Sequence, residues 1–390
     1  MKIYRKKKVD SNAEKDPPKN RKAYKTEIDP NNEQRTNLKK HAGAARWAYN
    51  WGLNRRSEWY KQTGQSTNAL LLHKDLNQIK GTPDLAWAYE VSKCAFQEAL
   101  LDLDQAFVNF FDGLKGKRPR MGYPRFKSKK KGLGSFRLTG TIRVFRRHIQ
   151  LPRLGLLRLK EHGYIPTDAK ILSVTVSERA GRWFVSVLTE ELASEIPVPT
   201  GEPIGIDLGI SYLAVTSDGD FFDNPKALQA KTKSLVRWQR RLSRRIKGSA
   251  NRRKAQSRVA KIHFKIACTR KDARDKLAAR LVEPKPAVIV LETLHVKGMV
   301  KNHKLAKALS DASLGAVRLR IEAKAEQSGI KIVKANRFYP STQLCSDCGN
   351  RKSDLKLSDR TYTCDHCGCS KPRDLNAALN LKSLVQQAVL

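Results

Sequence analysis

Cys345-Ser-Asp-Cys348 and, after fifteen intervening residues, Cys364-Asp-His-Cys367 oblige one stretch of this chain to close on itself. Two thiolates separated by two residues fit one tight knuckle, and two knuckles complete the tetrahedron that a structural zinc requires. Directly behind them lies Arg373-Asp374-Leu-Asn376-Ala-Ala, an acid at the head of a short apolar helix. The ribbon thus reads as an insertion just ahead of a carboxylate, which couples a structural metal to a position fit for chemistry. Seven cysteines, four of them in these pairs, suit a reducing compartment and metal binding rather than a disulfide framework. Cys94 and Cys268 fall in helical patterns and read as inert. Cys369 stays open as an alternative ligand, and His366 is expected to point outward.

Charge narrows the partner. Lys and Arg number 77 against 37 Asp and Glu, a formal charge of +40. Such an excess repels itself in a folded chain, and a polyanion is the partner that offsets it. No run of about 18 uncharged apolar residues could span or anchor in a membrane, and the basic start has no apolar core behind it to act as a secretory signal. No GxxxxGK[ST] phosphate loop, HExxH or Ser-His-Asp arrangement is present, so ATP-driven work and those hydrolytic chemistries are set aside. The length predicts two or three domains.

Along the chain, residues 1–22 read as a polar arm. A helix is expected from Pro30 to Tyr60, capped by Asn31 or Asn32, with Ala44, Trp47, Ala48, Trp51 and Leu53 as its apolar stripe. A second helical block spans Leu85–Phe111, where Phe96, Leu100, Leu103, Phe107 and Phe110 read as core. Trp59 and Tyr60, beside Arg55 and Arg56, are better placed to stack on bases. Residues 115–131 are basic and irregular. From Ser135 to Thr189 the period falls to two, which predicts a small barrel-like antiparallel domain with turns at Arg147-His148 and Ala180-Gly181. After a Pro-bearing linker come two strands in a hairpin, a third strand, and residues 231–280, with 19 Lys or Arg and 2 acids. Those read as two antiparallel helices forming a nucleic-acid surface. An apolar strand (287–292), a helix (314–328), a strand (331–335), the ribbon and a terminal helix follow.

Three carboxylates stand out. Asp207 lies on a strand between Gly205 and Gly209, Glu292 ends an apolar strand, and Asp374 heads the last helix. Each alone has an ordinary reading, as turn acid, strand-end acid or helix cap. Together, in this element order, they are what an RNase H-like fold assembles, holding two Mg²⁺ ions for phosphodiester hydrolysis.

These residues resemble a known family. GIDLGI (205–210), VIVLETL (288–294), YPSTQLCSDCG (339–349), RTYTCDHCG (360–368) and RDLNAALNL (373–381) look like the TnpB proteins of bacterial and archaeal insertion sequences, relatives of miniature type V CRISPR nucleases. KAYKTEIDPNNEQ, AARWAYNWGLNRR and GYPRFKSKKKG extend the likeness over nearly the whole chain. The resemblance implies an RNA-guided endonuclease that pairs a transposon-end guide RNA with double-stranded DNA beside a short target-adjacent motif, one protein per RNA. It implies an α/β multidomain chain in the bacterial or archaeal cytoplasm, associated with the nucleoid. A β-barrel wedge domain (1–45 and 128–200) would carry an inserted helical recognition lobe (46–127). A RuvC-like nuclease (201–340 and 371–390) would be interrupted by a zinc ribbon (341–370). By motif match, Asp207, Glu292 and Asp374 are the catalytic magnesium ligands. Cys345, Cys348, Cys364 and Cys367 are the zinc ligands. The family's earlier acid before the Leu-Asn-Ala-Ala run is absent here, where Lys371-Pro-Arg-Asp374 stands. Two other readings share the scaffold, a nuclease-inactive guided DNA binder and a strand-joining transposase.

Overall fold

The computed structural model describes residues 19–129, 132–192, 196–356 and 358–387, which fall into two compact units, residues 1–194 and 195–390. The first unit runs β1 (Lys19–Ile28), α1 (Asn32–Thr63), α2 (Ala69–Ile79), a 3-10 helix (Pro83–Glu90), α3 (Lys93–Leu114), β2 (Ser135–Leu138), β3 (Arg143–Val144), β4 (His148–Leu151), β5 (Gly155–Arg158), β6 (Lys170–Arg179) and β7 (Arg182–Leu192).

Asn31 caps α1 through a full capping box with Gln34. Each side chain accepts from the other's backbone N–H, which fills two of the donors a helix start leaves open. Small residues on α1 let α3 approach. A Cβ on Gly52 would stand 2.6 Å from Leu100 Cδ2 on α3. Phe96, Leu100, Leu103 and Phe107 are buried in the same core as Ala44, Ala48 and Leu53, and Trp47 and Trp51 pack against it. Trp59 and Tyr60 remain exposed.

Part of the expected arm is strand. The arm's first eighteen residues lie outside the described ones, but Lys19–Lys22 pair with Leu192–Thr189 as the start of β1. The composition misled because β1 is an edge strand: its backbone bonds to β7 while the side chains of Asn20, Arg21 and Lys22 are exposed. The strands form an antiparallel sheet β1-β7-β6-β2 and a smaller sheet β3-β4-β5, joined by a bridge from Ile28 to Leu159. Among the described residues the hydrogen-bonding therefore gives two linked sheets and no closed barrel. The Ala180-Gly181 turn falls as expected, with both residues at positive φ (55° and 84°), the conformation a two-residue hairpin demands.

The second unit runs β8 (Ile204–Asp207), β9 (Tyr212–Thr216), β10 (Phe221–Asp223), α4 (Ala227–Arg244), α5 (Ala250–Val282), β11 (Val288–Leu291), α6 (Val296–Met299), α7 (His303–Ala312), α8 (Leu314–Gln327), β12 (Lys331–Lys334), β13 (Thr361–Thr363), β14 (Ser370–Pro372) and α9 (Arg373–Gln387). Its main sheet is ordered β10-β9-β8-β11-β12, antiparallel through the hairpins and parallel across β8, β11 and β12. Along the chain these elements follow the order the sequence predicts, with α6 and α7 added between β11 and α8.

β11 is apolar throughout because both its faces are covered. Ile289 and Leu291 join a core with Leu277, Leu281, Leu314 and Ile321 of α5 and α8, while Val290 packs against Leu381 of α9. α4 is pinned at its start by Asp311, whose carboxylate accepts from the Leu228 and Gln229 N–H groups at 2.8 and 3.0 Å and pairs with Arg270 at 2.9 Å.

Candidate active site and metal centre

The acids converge through register and one close approach. In the parallel ladder Leu291 lies opposite Ile206, so the next residues, Glu292 and Asp207, emerge side by side at the same sheet end. The Leu208 N–H donates to Glu292 Oε1 at 3.3 Å and holds that carboxylate over β8. α9 supplies the third acid. It crosses β8 so closely that a Cβ on Gly205 would stand 2.1 Å from the Ala378 carbonyl oxygen. That contact brings the first turn of α9, with Asp374, to the rim where Asp207 ends its strand.

The electrostatics confirm the proximity. Burial, reinforced by the charges of Glu292 and Asp374, pushes the Asp207 carboxyl well above its usual range, with Arg373 opposing. Burial also pushes Glu292 up to about 7, against the Leu208 N–H and with help from Asp374. Arg373 lies 3.4 Å from Asp374 Oδ1.

The cysteines form a tighter set. Sγ atoms of Cys345 and Cys367, and of Cys348 and Cys364, are 3.6 Å apart, and all four lie within 4.8 Å of one another. Thiolates about 2.3 Å from a tetrahedral zinc stand about 3.8 Å from each other, so the quartet fits that ion and is far too open for disulfides. The Cys367 and His366 backbone N–H groups hold the Cys364 thiol down to about 6. Those of Cys348 and Asp347 lower Cys345 against the effect of its burial. Each knuckle thus holds one thiol towards the thiolate, while its fellow, Cys348 or Cys367, is pushed up by burial and the neighbouring thiols against a backbone N–H. Cys369 stands outside the quartet and contributes its carbonyl oxygen to the Cys364 N–H at 2.8 Å, and His366 is exposed. Among the described residues no other group of three or more metal-type donors is as compact.

Two residues that link these centres were not singled out in the sequence. Asn376, 0% exposed, accepts from the Ser346 N–H at 3.0 Å and donates to the Leu344 carbonyl at 2.6 Å. Asn380 donates to the carbonyls of Ser341 and Leu344 at 2.8 and 2.7 Å. Both sit on α9 and grip the backbone on either side of Cys345. Their i, i+4 spacing was visible, but on a surface helix two asparagines at that spacing carry no signal of their own. Beneath the ribbon Tyr362 is fully buried, its hydroxyl donating to the Gln343 carbonyl at 3.2 Å.

The basic hairpin keeps its charge unspent. Ion pairs on α4 and α5 begin at Arg270 and continue through Lys271, Arg274, Lys276 and Arg280. Among the described residues none involves 231–269, and Arg240, Arg241, Arg244 and Arg245 are exposed. No helix among the described residues is long and apolar enough to cross a membrane.

Three family models match this chain: one described as a probable transposase over residues 174–303, a Cas12f1-like TNB domain over 315–381 and a helix-turn-helix domain over 20–65. That last span holds β1 and the single helix α1 here. A Streptomyces pristinaespiralis protein, provisionally named an RNA-guided DNA endonuclease, is 38% identical over 365 residues, 93% of this chain and 88% of its own. The Escherichia coli K12 protein InsQ, named in the same provisional way, is 28% identical over 376 residues, 92% and 91% of the two chains. A cryo-EM structure of a Cas12f1–sgRNA–target DNA complex aligns over 93% of this chain and 98% of that one at 15% identity, with a TM-score of 0.36, too low to carry an argument.

Proposed function

The chain belongs to the TnpB family, with its Streptomyces and Escherichia coli relatives, and from that premise we propose that it is a transposon-encoded, RNA-guided endonuclease of double-stranded DNA. The observation that most supports this reading is the arrival of three acids from β8, β11 and α9 at one rim of the sheet.

Asp207, Glu292 and Asp374 are the residues that would hold two magnesium ions. Carboxylates offer only hard oxygen donors, the set magnesium prefers, and three of them crowded against a sheet need cations to ionise together. Bound there, the metal would activate a water and offset charge on the departing sugar oxygen. The chain's own part is placement. The Leu208 N–H orients Glu292, Gly205 admits α9, and the asparagine grip ties Asp374's helix to the ribbon. The carboxylates are less compact than the thiols, as suits donors that must flank two ions rather than enclose one.

Cys345, Cys348, Cys364 and Cys367 would hold one structural zinc. The unpaired arginines of α4 and α5, with Trp238 stacked beneath Arg241 at 4.9 Å, supply a surface for a phosphate backbone. Sequence choice is delegated to base pairing with a guide RNA from the transposon end, one protein per RNA, while the protein reads a short motif beside the target. The first unit, with residues 195–200 of the second, divides into a wedge (1–45 and 128–200) and a recognition lobe (46–127), although α1 runs unbroken across the 45/46 boundary. The second is a RuvC-like nuclease (201–340 and 371–390) with its zinc ribbon (341–370).

The matched model described as a probable transposase favours a second reading, strand joining by the same acids. Incubating the protein, purified with co-expressed transposon-end RNA, with labelled target duplex separates them. Hydrolysed ends that require RNA and magnesium support guided cleavage. Joined products, or cutting indifferent to the RNA, overturn it.

A further inference from the structure

A cavity of ≈ 850 Å³ opens in the first unit between the end of α2, the end of the 3-10 helix, the start of α3 and the β4–β5 turn. Lys80, Lys93 and Arg153 line it, together with Tyr89, and no carboxylate does. On so basic a chain, three cations around a hollow weigh little. The burial of one of them weighs more. Lys80 is 8% exposed, and among the described residues no acid pairs with it, with Lys93 or with Arg153. Its ammonium sits 4.5 Å over the Phe96 ring. That contact occupies one side of a group with three donors.

A largely buried lysine whose charge meets only an aromatic ring carries a desolvation cost that an anion reaching it through the cavity would offset. Burial and the neighbouring Lys93 both lower the Lys80 pKa, so the charge is disfavoured while no anion is near. Two further features point the same way. Arg153 is held at φ 64°, a conformation that favours glycine or asparagine, so its guanidinium is kept at that turn against backbone preference. The 22-residue helix α3 begins at the cavity wall, with Ser92 and Lys93 lining it, and helix starts favour anions. Tyr89, 61% exposed, offers a ring at the mouth.

We propose that this cavity takes one phosphodiester-linked nucleotide of a nucleic-acid strand, its phosphate among Lys80, Lys93 and Arg153 and its base against Tyr89. The inference rests on the nucleic-acid partner proposed above and adds a discrete subsite to it. The volume falls within the range usual for small-ligand pockets. The strand can be RNA or DNA, since both carry this unit.

The test uses the full chain and single-stranded 20-mers of one sequence, as RNA and as DNA, over stepped salt. Lys80→Met keeps the stem over Phe96 while removing the charge, and Lys93→Gln alters an exposed side chain. Together they should weaken binding about tenfold and lower the log–log salt slope by about 0.7 for each phosphate released. Tyr89→Ala should weaken binding by a similar factor with the slope unchanged, because stacking displaces no counterions. Lys39→Gln with Lys61→Gln, exposed on α1, is the control of equal charge. Loss with both polymers supports a shared phosphodiester site, and loss with one identifies the strand.

Affinity and slope no different from the control with either polymer overturn the proposal. A second measurement needs no variant: the same 20-mers should protect Lys80 and Lys93 of the unaltered chain from amine acylation, and full reactivity of both under saturating oligonucleotide would overturn it equally. Neither assay involves cutting, so failure of this site and failure of guided cleavage remain distinguishable.

Discussion

The cysteine quartet and the carboxylate trio are two metal-type clusters in one unit, and they differ in how far the chain alone completes them. Around the thiols the geometry agrees: two knuckles, backbone N–H groups aimed at sulfur, and spacings suited to a single ion, with Cys345 and Cys364 lowered while Cys348 and Cys367 are raised by their neighbours. Around the acids the features conflict. Three carboxylates are brought together from distant segments, two of them pushed towards the protonated form by burial and by one another. The first cluster is built for one ion that stays. The second is assembled under repulsion, which on the proposed function would suit ions that must share themselves with a substrate. Structural metal needs a closed shell and catalytic metal an open one.

The sharpest break in this comparison comes from removing one member of each set. Asp207→Ala should lower cleavage by about three orders of magnitude or more, since several kcal/mol of charge stabilisation are lost at roughly 1.4 kcal/mol per tenfold. RNA and target binding should stay within a few-fold, as gel-shift titration would reveal. Cutting above a few per cent of the unaltered rate would remove Asp207 from the ligand set. Cys364→Ser should act differently: zinc, expected by elemental analysis at about one per chain, should be lost and the ribbon should become protease-sensitive. Cleavage should fall with it. Full activity in a zinc-free protein would show the two clusters to be independent.

Asn376→Ala sharpens the comparison by cutting the tie and leaving both clusters intact. It leaves the half-buried Ser346 N–H without its acceptor, while the Leu344 carbonyl keeps Asn380, at a cost of about 1–3 kcal/mol. Cleavage should drop roughly tenfold while zinc content stays at one. A variant that loses zinc and activity in parallel would instead make Asn376 part of the ribbon's own stability.

The smallest effect is one of pH. A carboxyl raised from 4.5 to about 7 by folding keeps a proton that the unfolded chain releases. Metal-free protein should therefore lose stability as pH rises across that window. Melting temperatures should fall between about pH 4.5 and 7, less so in Glu292→Gln, and magnesium should reverse the trend. A flat profile in both proteins would remove the repulsion attributed to the acids.

Legibility in the sequence followed how locally each feature is specified. The cysteine spacing is local geometry and was readable outright. So were the Ala180-Gly181 turn and the alternation of apolar residues in β6 and β7, while the cap of α1 was narrowed to Asn31 or Asn32 and is Asn31. Asp207, Glu292 and Asp374 could be listed as candidates, but only the β8–β11 register and the Gly205–Ala378 contact bring them to one rim. What escaped was defined from a distance. α2 and α7 are short and lean on neighbours, and β1 looks like free chain until β7 is there to pair with it. Asn376 and Asn380 acquire meaning only when the ribbon folds back over them.

α9 has a consequence for how the protein is made. β8, with Asp207, leaves the ribosome long before α9 does, and synthesis delivers only about 5–20 residues each second. Until α9 follows, the groove behind Gly205 has nothing to fill it, and neither Asp374 nor the asparagine grip exists. On the proposed function every shorter nascent form would be unable to cut, while the basic surfaces upstream would already be present to meet RNA. A cell translating this message would then meet a binder of nucleic acid well before it met a cutter.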